Sequence, residues 1–233
     1  MDKDIISVIV PCFNEQESTD IFYTEFTKIM DTLPGADYEL IFVDDGSSDN
    51  TLINIKKLAA VSKKVKFISF SKNFGKEAAI YAGLKAASGD YVCTMDVDLQ
   101  DPIELLCDMY KEIKKGEYDI VAAYRSDRKG EGVIRSALSE LFYKIINKIS
   151  NTEFKSGARD FRLMTRQVAD SVLQVSEYNR FSKGIMSWVG YKTKWLSFEN
   201  VERAAGSTKW NFFKLFKYSL DAIIAFSTMP LAI

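Results

Sequence analysis

The sequence predicts an α/β fold, a mostly parallel sheet with helices on both faces. Two observations predict it. Short apolar runs alternate with segments of helical periodicity from residue 5 to residue 123, as in a chain of βαβ units. The polar clusters of this half fall where strands end, at Asn14-Glu15, 44–49, 71–76 and 96–101, and ligands of open sheets sit beyond such carboxyl ends. With 233 residues, 47% of them hydrophobic, the chain has material for one substantial core, burying about 70% of its unfolded surface.

The elements follow in order. Residues 5–10 form a strand, and 18–33 a helix whose apolar positions Ile21, Phe22, Phe26, Ile29 and Met30 share a face until Pro34-Gly35 stops it. Strand 38–43, helix 49–62, strand 65–70, helix 76–87, strand 91–95, helix 102–115 and strand 119–123 complete the alternation. The pattern then changes. Residues 124–132 read as a charged, glycine-bearing loop, 134–149 as a helix, 151–159 as a loop and 161–164 as a short strand. Two further helical pieces and a strand over 191–198 lead to a polar connector around 200–207.

Composition excludes several classes of function. A net charge of -1 argues against a general nucleic-acid binder. Cys12, Cys93 and Cys107 are scattered without a CxxC pair, which fits a reducing compartment. The chain has no histidine, so the usual general base, His-containing triads and most zinc sites are absent. Carboxylates, lysines and tyrosines remain for chemistry. The start of the chain runs directly into a strand with no secretory pattern, an expectation of a cytosolic domain.

The most informative stretch is Val92-Cys93-Thr94-Met95-Asp96-Val97-Asp98-Leu99-Gln100-Asp101-Pro102. An apolar strand ends in three acids and a proline able to open a helix. Alternation along a strand lets Asp96 and Asp98 face the same way. Two carboxylates at a sheet edge suit a hard cation such as Mg2+, which leaves coordination positions for substrate phosphates. The same acids also suit turn and helix capping.

The last segment is of another kind. Between Arg203 and Leu220 lie four basic residues and no acid. Lys214, Lys217 and Asp221 recur at helical steps and leave Phe212, Phe213, Phe216, Leu220, Ile223 and Ile224 on one broad apolar face. A basic amphipathic helix of this composition suits a membrane interface, and a terminal helix packed on the core is the alternative. Residues 222–233 are uncharged and too few to span a bilayer, which takes about 20. These features divide the chain into a globular domain, 1–202, and an interfacial helix with the beginning of a membrane region, 203–233. The expectation is the front part of a longer, membrane-attached protein. Any homo-oligomer would form through that membrane part.

Several motifs together resemble glycosyltransferase family 2 with its Rossmann-like GT-A fold. They are Val10-Pro11-Cys12-Phe13-Asn14-Glu15, Val43-Asp44-Asp45-Gly46-Ser47, Asn73-Phe74-Gly75-Lys76 and Asp96-Val97-Asp98-Leu99-Gln100-Asp101-Pro102. Gly157-Ala158-Arg159-Asp160-Phe161-Arg162 and Arg203-Ala204-Ala205-Gly206-Ser207-Thr208-Lys209-Trp210 narrow the resemblance to the polyprenyl-phosphate glycosyltransferases. That group includes bactoprenol glucosyltransferases and dolichyl-phosphate mannose synthases. Cys12 departs from the aromatic or small residue more usual there.

The resemblance implies transfer of a hexose from a nucleotide-diphosphate sugar, UDP-glucose by default, to a polyprenyl phosphate such as undecaprenyl phosphate. It implies Mg2+ or Mn2+ as cofactor, and contact with membrane lipids. It further implies that 1–202 is catalytic, that it lies on the cytoplasmic side and that the whole protein is multi-pass. Pro11, Asn14 and Glu15 would line the base and ribose pocket, and Asp44 would bond the base or sugar edge while Asp49 caps the next helix. Asp96 would sit near ribose and metal, Asp98 would ligate the metal, and Gln100 would add a contact. Lys76 either reaches a phosphate or is solvated at a helix start.

The acceptor side accounts for the arginines. Two unit charges about 5 Å apart repel by roughly 3 kcal/mol at a dielectric near 20, so joining a diphosphate to a lipid phosphate needs cations. Arg125, Arg128, Arg135, Arg203 and Lys209 are available, and arginine suits bidentate phosphate binding. Arg125, Arg135 and Arg203 match the family positions most closely; Arg128 and Lys129 equally suit surface charges. Asp160 matches the residue often proposed as catalytic base. A phosphate monoester with a second pKa near 6 hardly needs one, so Asp160 would alternatively orient Arg159, Arg162 or sugar hydroxyls. The implied reaction is one in-line, inverting displacement. Transfer to a soluble glycan acceptor is one rival, although the Gln-x-x-Arg-Trp motif of processive synthases is absent. A catalytically idle membrane adaptor is the other, and intact Asp96, Asp98 and Asp160 argue against it.

Overall fold

The computed structural model describes residues 3–126, 147, 155–175, 177 and 180–199. Seven strands form one sheet among them: β1 (Asp4–Cys12), β2 (Ala36–Asp44), β3 (Val65–Ser69), β4 (Tyr91–Thr94), β5 (Ile120–Arg125), β6 (Ala158–Thr165) and β7 (Thr193–Phe198). Between them lie α1 (Thr19–Thr32), α2 (Thr51–Val61), α3 (Lys76–Ala86), α4 (Leu105–Ile113), α5 (Arg166–Gln174) and α6 (Ser182–Trp188). The strand order is β3-β2-β1-β4-β6-β5-β7, parallel throughout except for β6, which runs antiparallel to both β4 and β5.

Alternation along β1 explains the layers. Ile6, Val8, Val10 and Cys12 face a core that contains Phe22, Phe26 and Met30 of α1 and Leu106, Met109 and Ile113 of α4. Ile9 faces the opposite core, with Ala79, Ile80 and Leu84 of α3 and Val168 and Val172 of α5. Successive side chains point to opposite faces of a strand, so one short run serves both layers. In α1, Phe22, Phe26 and Met30 recur every four residues as a buried stripe. In α3, Gly83 lets the helix approach β1 closely, since a Cβ there would stand 2.2 Å from Ile9 Cγ2.

A buried carboxylate ties three strands together. Glu39 of β2 is 6% exposed and accepts hydrogen bonds from Ser7 Oγ (2.5 Å), Ser88 N (2.6 Å) and Lys66 Nζ (2.5 Å). Ser7 Oγ in turn accepts from Gly89 N at 2.8 Å, which fixes the turn before β4. Burial disfavours the charge, but Lys66, Ser7 and Ser88 outweigh it and hold the pKa near about 2.

Each strand expected from the sequence is present, with most ends displaced by one or two residues. Helices α1, α2 and α4 start one to three residues later than expected. Pro102 precedes α4 in a turn whose carbonyl accepts from Leu105 N at 3.1 Å, so the helix opens at Leu105 rather than at the proline. The direction of β6 was not expected, because periodicity carries no information about which way a strand runs. The expected helix 134–149, apart from Asn147, and the basic helix 203–220 lie outside the described residues, as do Arg128, Arg135, Arg203 and Lys209. Among the described residues no helix is long and apolar enough to cross a membrane.

Candidate active site

The chain runs from β1 outward to β2 and β3, then returns to place β4 on the other side of β1. Beyond the carboxyl ends of β1 and β4 this reversal leaves a crevice, the place where open α/β sheets bind ligands. Because β6 runs the other way, its first residues, Ala158 to Asp160, arrive at that same rim.

One side of the rim is built from Asn14, Glu15 and the 44–51 loop. Asn14 N donates to Ser47 Oγ (2.9 Å), Asn14 Oδ1 accepts from Ser48 N (2.8 Å), and Glu15 N donates to Thr51 Oγ1 (2.7 Å). Pro11 of β1 pairs with Val43 of β2 just beneath them. Asp44 is 1% exposed, its oxygens accepting from Ser47 N and Ser69 Oγ, both at 3.2 Å. Asp49 accepts from Thr51 N at 3.0 Å from just before α2, but the N-cap position itself falls on Asn50 and carries no side-chain cap, so Asp49 is not the cap expected of it.

Asp45, which sequence reasoning left without a role, holds the next loop. Its carboxylate accepts from Phe74 N (2.6 Å) and Gly75 N (2.9 Å) at the mouth of α3, and burial raises its pKa. Gly46 follows with φ 69, and a Cβ there would lie 2.4 Å from the Lys72 carbonyl carbon. Gly46→Ala therefore adds a backbone clash to the roughly 1–2 kcal/mol that a left-handed conformation costs an L-residue. The expected outcome is a lower melting temperature, since the displaced 72–75 loop leads directly into Lys76 and α3. A variant that melts like the native protein would show that the loop is not braced this way.

The other side of the rim is a chain of alternating charge. Lys76 Nζ lies 2.5 Å from Asp96 Oδ1 and 2.5 Å from Asp160 Oδ2. Arg159 Nη2 stands 3.8 Å from Asp96 Oδ2, and Arg159 Nε donates to Asp101 Oδ1 at 2.8 Å. Lys183 Nζ is 3.8 Å from Asp160 Oδ1. Three acids and three cations thus succeed one another: Asp101, Arg159, Asp96, Lys76, Asp160, Lys183. Burial opposes the charge on Lys76, yet Asp160 and Asp96 raise its pKa above the usual lysine range. Burial likewise opposes the charge of Asp160, and Lys183 and Lys76 overcome it, holding that carboxyl far below the usual range. Asp101 moves the other way, to about 6, because burial and Asp96 outweigh Arg159.

These contacts change two expectations. Lys76 is not a solvated helix start but the bridge between two acids. The Arg159 guanidinium turns to Asp101 and Asp96, Arg162 Nη2 donates to the Arg159 carbonyl at 2.9 Å, and Asp160 acts on both arginines through its charge. The cations that face Asp160 most closely come from α3 and α6.

Asp98 is 8% exposed, and its Oδ1 accepts from Gln100 N at 3.2 Å. Leu99 between them has φ 58; with Asn14 (φ 54) it is one of two non-glycine residues of positive φ among the described residues. For leucine that conformation is strained, and it stands next to the acids as strained backbone at functional sites often does. No cluster of three acid, Cys or His side chains suited to a metal ion occurs among the described residues. Asp96, Asp98 and the Gln100 amide still offer hard oxygen donors. That set fits Mg2+ or Mn2+, which accept few protein ligands and take water and phosphate oxygens for the rest. Arg125 closes the rim at the end of β5, its N–H donating to the Gly157 carbonyl at 3.0 Å.

A doubly layered sheet with acids at the switch-point rim is the GT-A architecture of glycosyltransferases. The family model for glycosyl transferase family 2 matches residues 7–173. The chain belongs to glycosyl transferase family 2. CsbB of Bacillus subtilis (strain 168), by name a glycosyltransferase, is 45% identical over 99% of this chain and 69% of its own length. The prophage bactoprenol glucosyl transferase homolog of Escherichia coli (strain K12) is 44% identical over 98% of this chain and 74% of its own. Among solved structures, glucosyl-3-phosphoglycerate synthase of Mycobacterium tuberculosis, in complex with Mn2+, UDP-glucose and phosphoglyceric acid, superposes with TM-score 0.61 at 21% identity, over 94% of this chain and 77% of that one. S. aureus TarS 1–349 gives TM-score 0.59 at 19% identity over 84% of this chain, which spans only 58% of that one. At such identities the structural likeness concerns the fold.

Proposed function

We propose that this glycosyltransferase moves a hexose, glucose by preference, from UDP-glucose to a polyprenyl phosphate at the cytoplasmic face of a membrane. The observation that carries the reading is the 44% identity, over nearly the whole chain, to a bactoprenol glucosyl transferase homolog. The charged rim supports it, since both substrates of such a reaction are anionic. Residues 1–202 are the catalytic domain in this reading, and 203–233 bring it to the lipid surface.

Asn14, Glu15, Pro11 and Asp44 would enclose base and ribose. Asp96 and Asp98, with Gln100, would hold Mg2+ or Mn2+ beside the diphosphate. When bound, the cation neutralises charge on the departing diphosphate. Lys76 lies within reach of Asp96 and Asp160 and would contact a phosphate oxygen from its seat between them. Arg125, with Arg128, Arg135, Arg203 and Lys209, would receive the acceptor phosphate. A lipid phosphate oxygen attacks the anomeric carbon, the bond from that carbon to the diphosphate oxygen breaks, and the configuration inverts. Asp160 serves as a charged, orienting group here, because its two oxygens face Lys76 and Lys183 and an ionised acceptor phosphate hardly needs a base.

The test is to incubate the full-length protein with membranes, metal and a panel of radiolabelled nucleotide sugars. The expected product is mild-acid-labile label in a polyprenyl lipid, strongest from UDP-glucose and inverted at the anomeric carbon. Label found only in soluble glycan, or with retained configuration, would defeat the reading.

A further inference from the structure

The geometry points to Lys183 as a positioning residue for the transfer reaction, seated by Glu77 so that Asp160 is gripped from two sides. The family model ends at residue 173, before α6 begins, and Lys183 belongs to none of the motifs along the chain. The structure nevertheless sets it against the acid at the start of β6. Lys183 Nζ donates to the Ala158 carbonyl at 2.9 Å and stands 3.8 Å from Asp160 Oδ1, while Lys76 takes Asp160 Oδ2 at 2.5 Å. Each carboxylate oxygen therefore faces a different ammonium. The backbone is held as well, since Thr94 Oγ1 of β4 donates to the Asp160 carbonyl. A carboxylate fixed at both oxygens and at its own peptide group has little freedom left.

Helix α6 is docked to deliver this lysine. Glu77, next to Lys76 in the first turn of α3, accepts from Ser182 N at 2.9 Å and from Ser182 Oγ. Ser182 is the first residue of α6, so the Glu77 carboxylate occupies that helix's positive end, where an acid is favoured. Two neighbouring residues of α3 thus meet two neighbouring residues of α6. Lys76 and Lys183 hold Asp160, and Glu77 and Ser182 hold the helices that carry them. Side chains locked in this way keep a reacting geometry that looser support would lose.

The inference rests on the proposed activity only for its assay. Wild-type transfer to polyprenyl phosphate tests that activity. The ratio of variant to wild type, with whichever acceptor the wild type uses, tests Lys183. Lys183→Met is expected to lower kcat about 100-fold, the size of effect a displacement of about 1 Å produces. UDP binding by calorimetry should stay within about threefold, because Lys183 touches Asp160 and not Asp96. Lys183→Arg keeps the charge and should recover at least about tenfold of the loss. Lys194→Met, which breaks the 2.8 Å pair with Glu112 elsewhere on the molecule, is the control and should leave kcat unchanged. A Lys183→Met protein with native kcat overturns the inference. So does one whose loss the arginine variant does not relieve, or one whose UDP binding falls as far as its kcat. Should Lys183→Met fail to fold, Glu77→Gln decides. The inference expects Glu77→Gln to lower kcat at native UDP affinity, and native kcat in that variant overturns it.

Discussion

Asp98→Asn is expected to lower turnover about a thousandfold, the scale on which removal of one charge-stabilising group acts. The substitution conserves shape. The carboxamide oxygen can still accept from Gln100 N, which lies 3.2 Å from Asp98 Oδ1, so the turn through Leu99 has no reason to open. With 8% exposure the side chain loses a charge that burial already disfavours, so the melting temperature should move by no more than about 2 °C. In the proposed reaction, what disappears is one of the two anionic oxygen donors that would hold the cation beside the diphosphate. Lost activity in a protein that melts normally therefore indicates a role in chemistry. Near-native turnover would remove Asp98 from the set of metal ligands.

Glu39 is the site of the largest expected effect on stability. Its folded pKa of about 2 lies below the ordinary 4.5, so it binds its proton more weakly folded than unfolded. It therefore stabilises the native state fully above pH 4.5, and that contribution fades as the pH falls toward 2. The shift corresponds to about 3 kcal/mol for a side chain this well buried. Glu39→Gln should cost a similar amount in urea unfolding near neutral pH, and the gap between variant and native protein should narrow below about pH 4. Activity per folded molecule should be preserved, because the network of Ser7, Lys66, Ser88 and Gly89 touches none of the rim residues. A gap of constant size across pH would mean that the charge of Glu39 is not what matters.

Much of the fold was legible because burial writes itself into local patterns. The stripe Phe22, Phe26, Met30 and the all-apolar centre of β2 are visible without coordinates, and so is the fall of polar residues at strand ends. Strand direction is a different matter. β6 reads as apolar whichever way it runs, and only the connection from β5 decides that its first residues meet the rim. The rim was legible for a related reason, since Asn14, Asp44, Asp96 and Asp98, proposed for the donor side, each sit within one short motif. The grip on Asp160 was not, because Lys76, Asp160 and Lys183 are far apart in the chain and only packing brings them together. Arg159 shows the same limit, its direction toward Asp101 being set by the course of β6 and not by its neighbour in sequence.

The reversed strand has a further consequence. The residues proposed for the donor hang from the tips of β1, β2 and β4, whereas Asp160 arrives on β6, a strand that runs against its neighbours. Lys76 joins the two groups, since its ammonium meets Asp96 on one side and Asp160 on the other. A change of charge at either acid is thereby passed to the other through a single lysine.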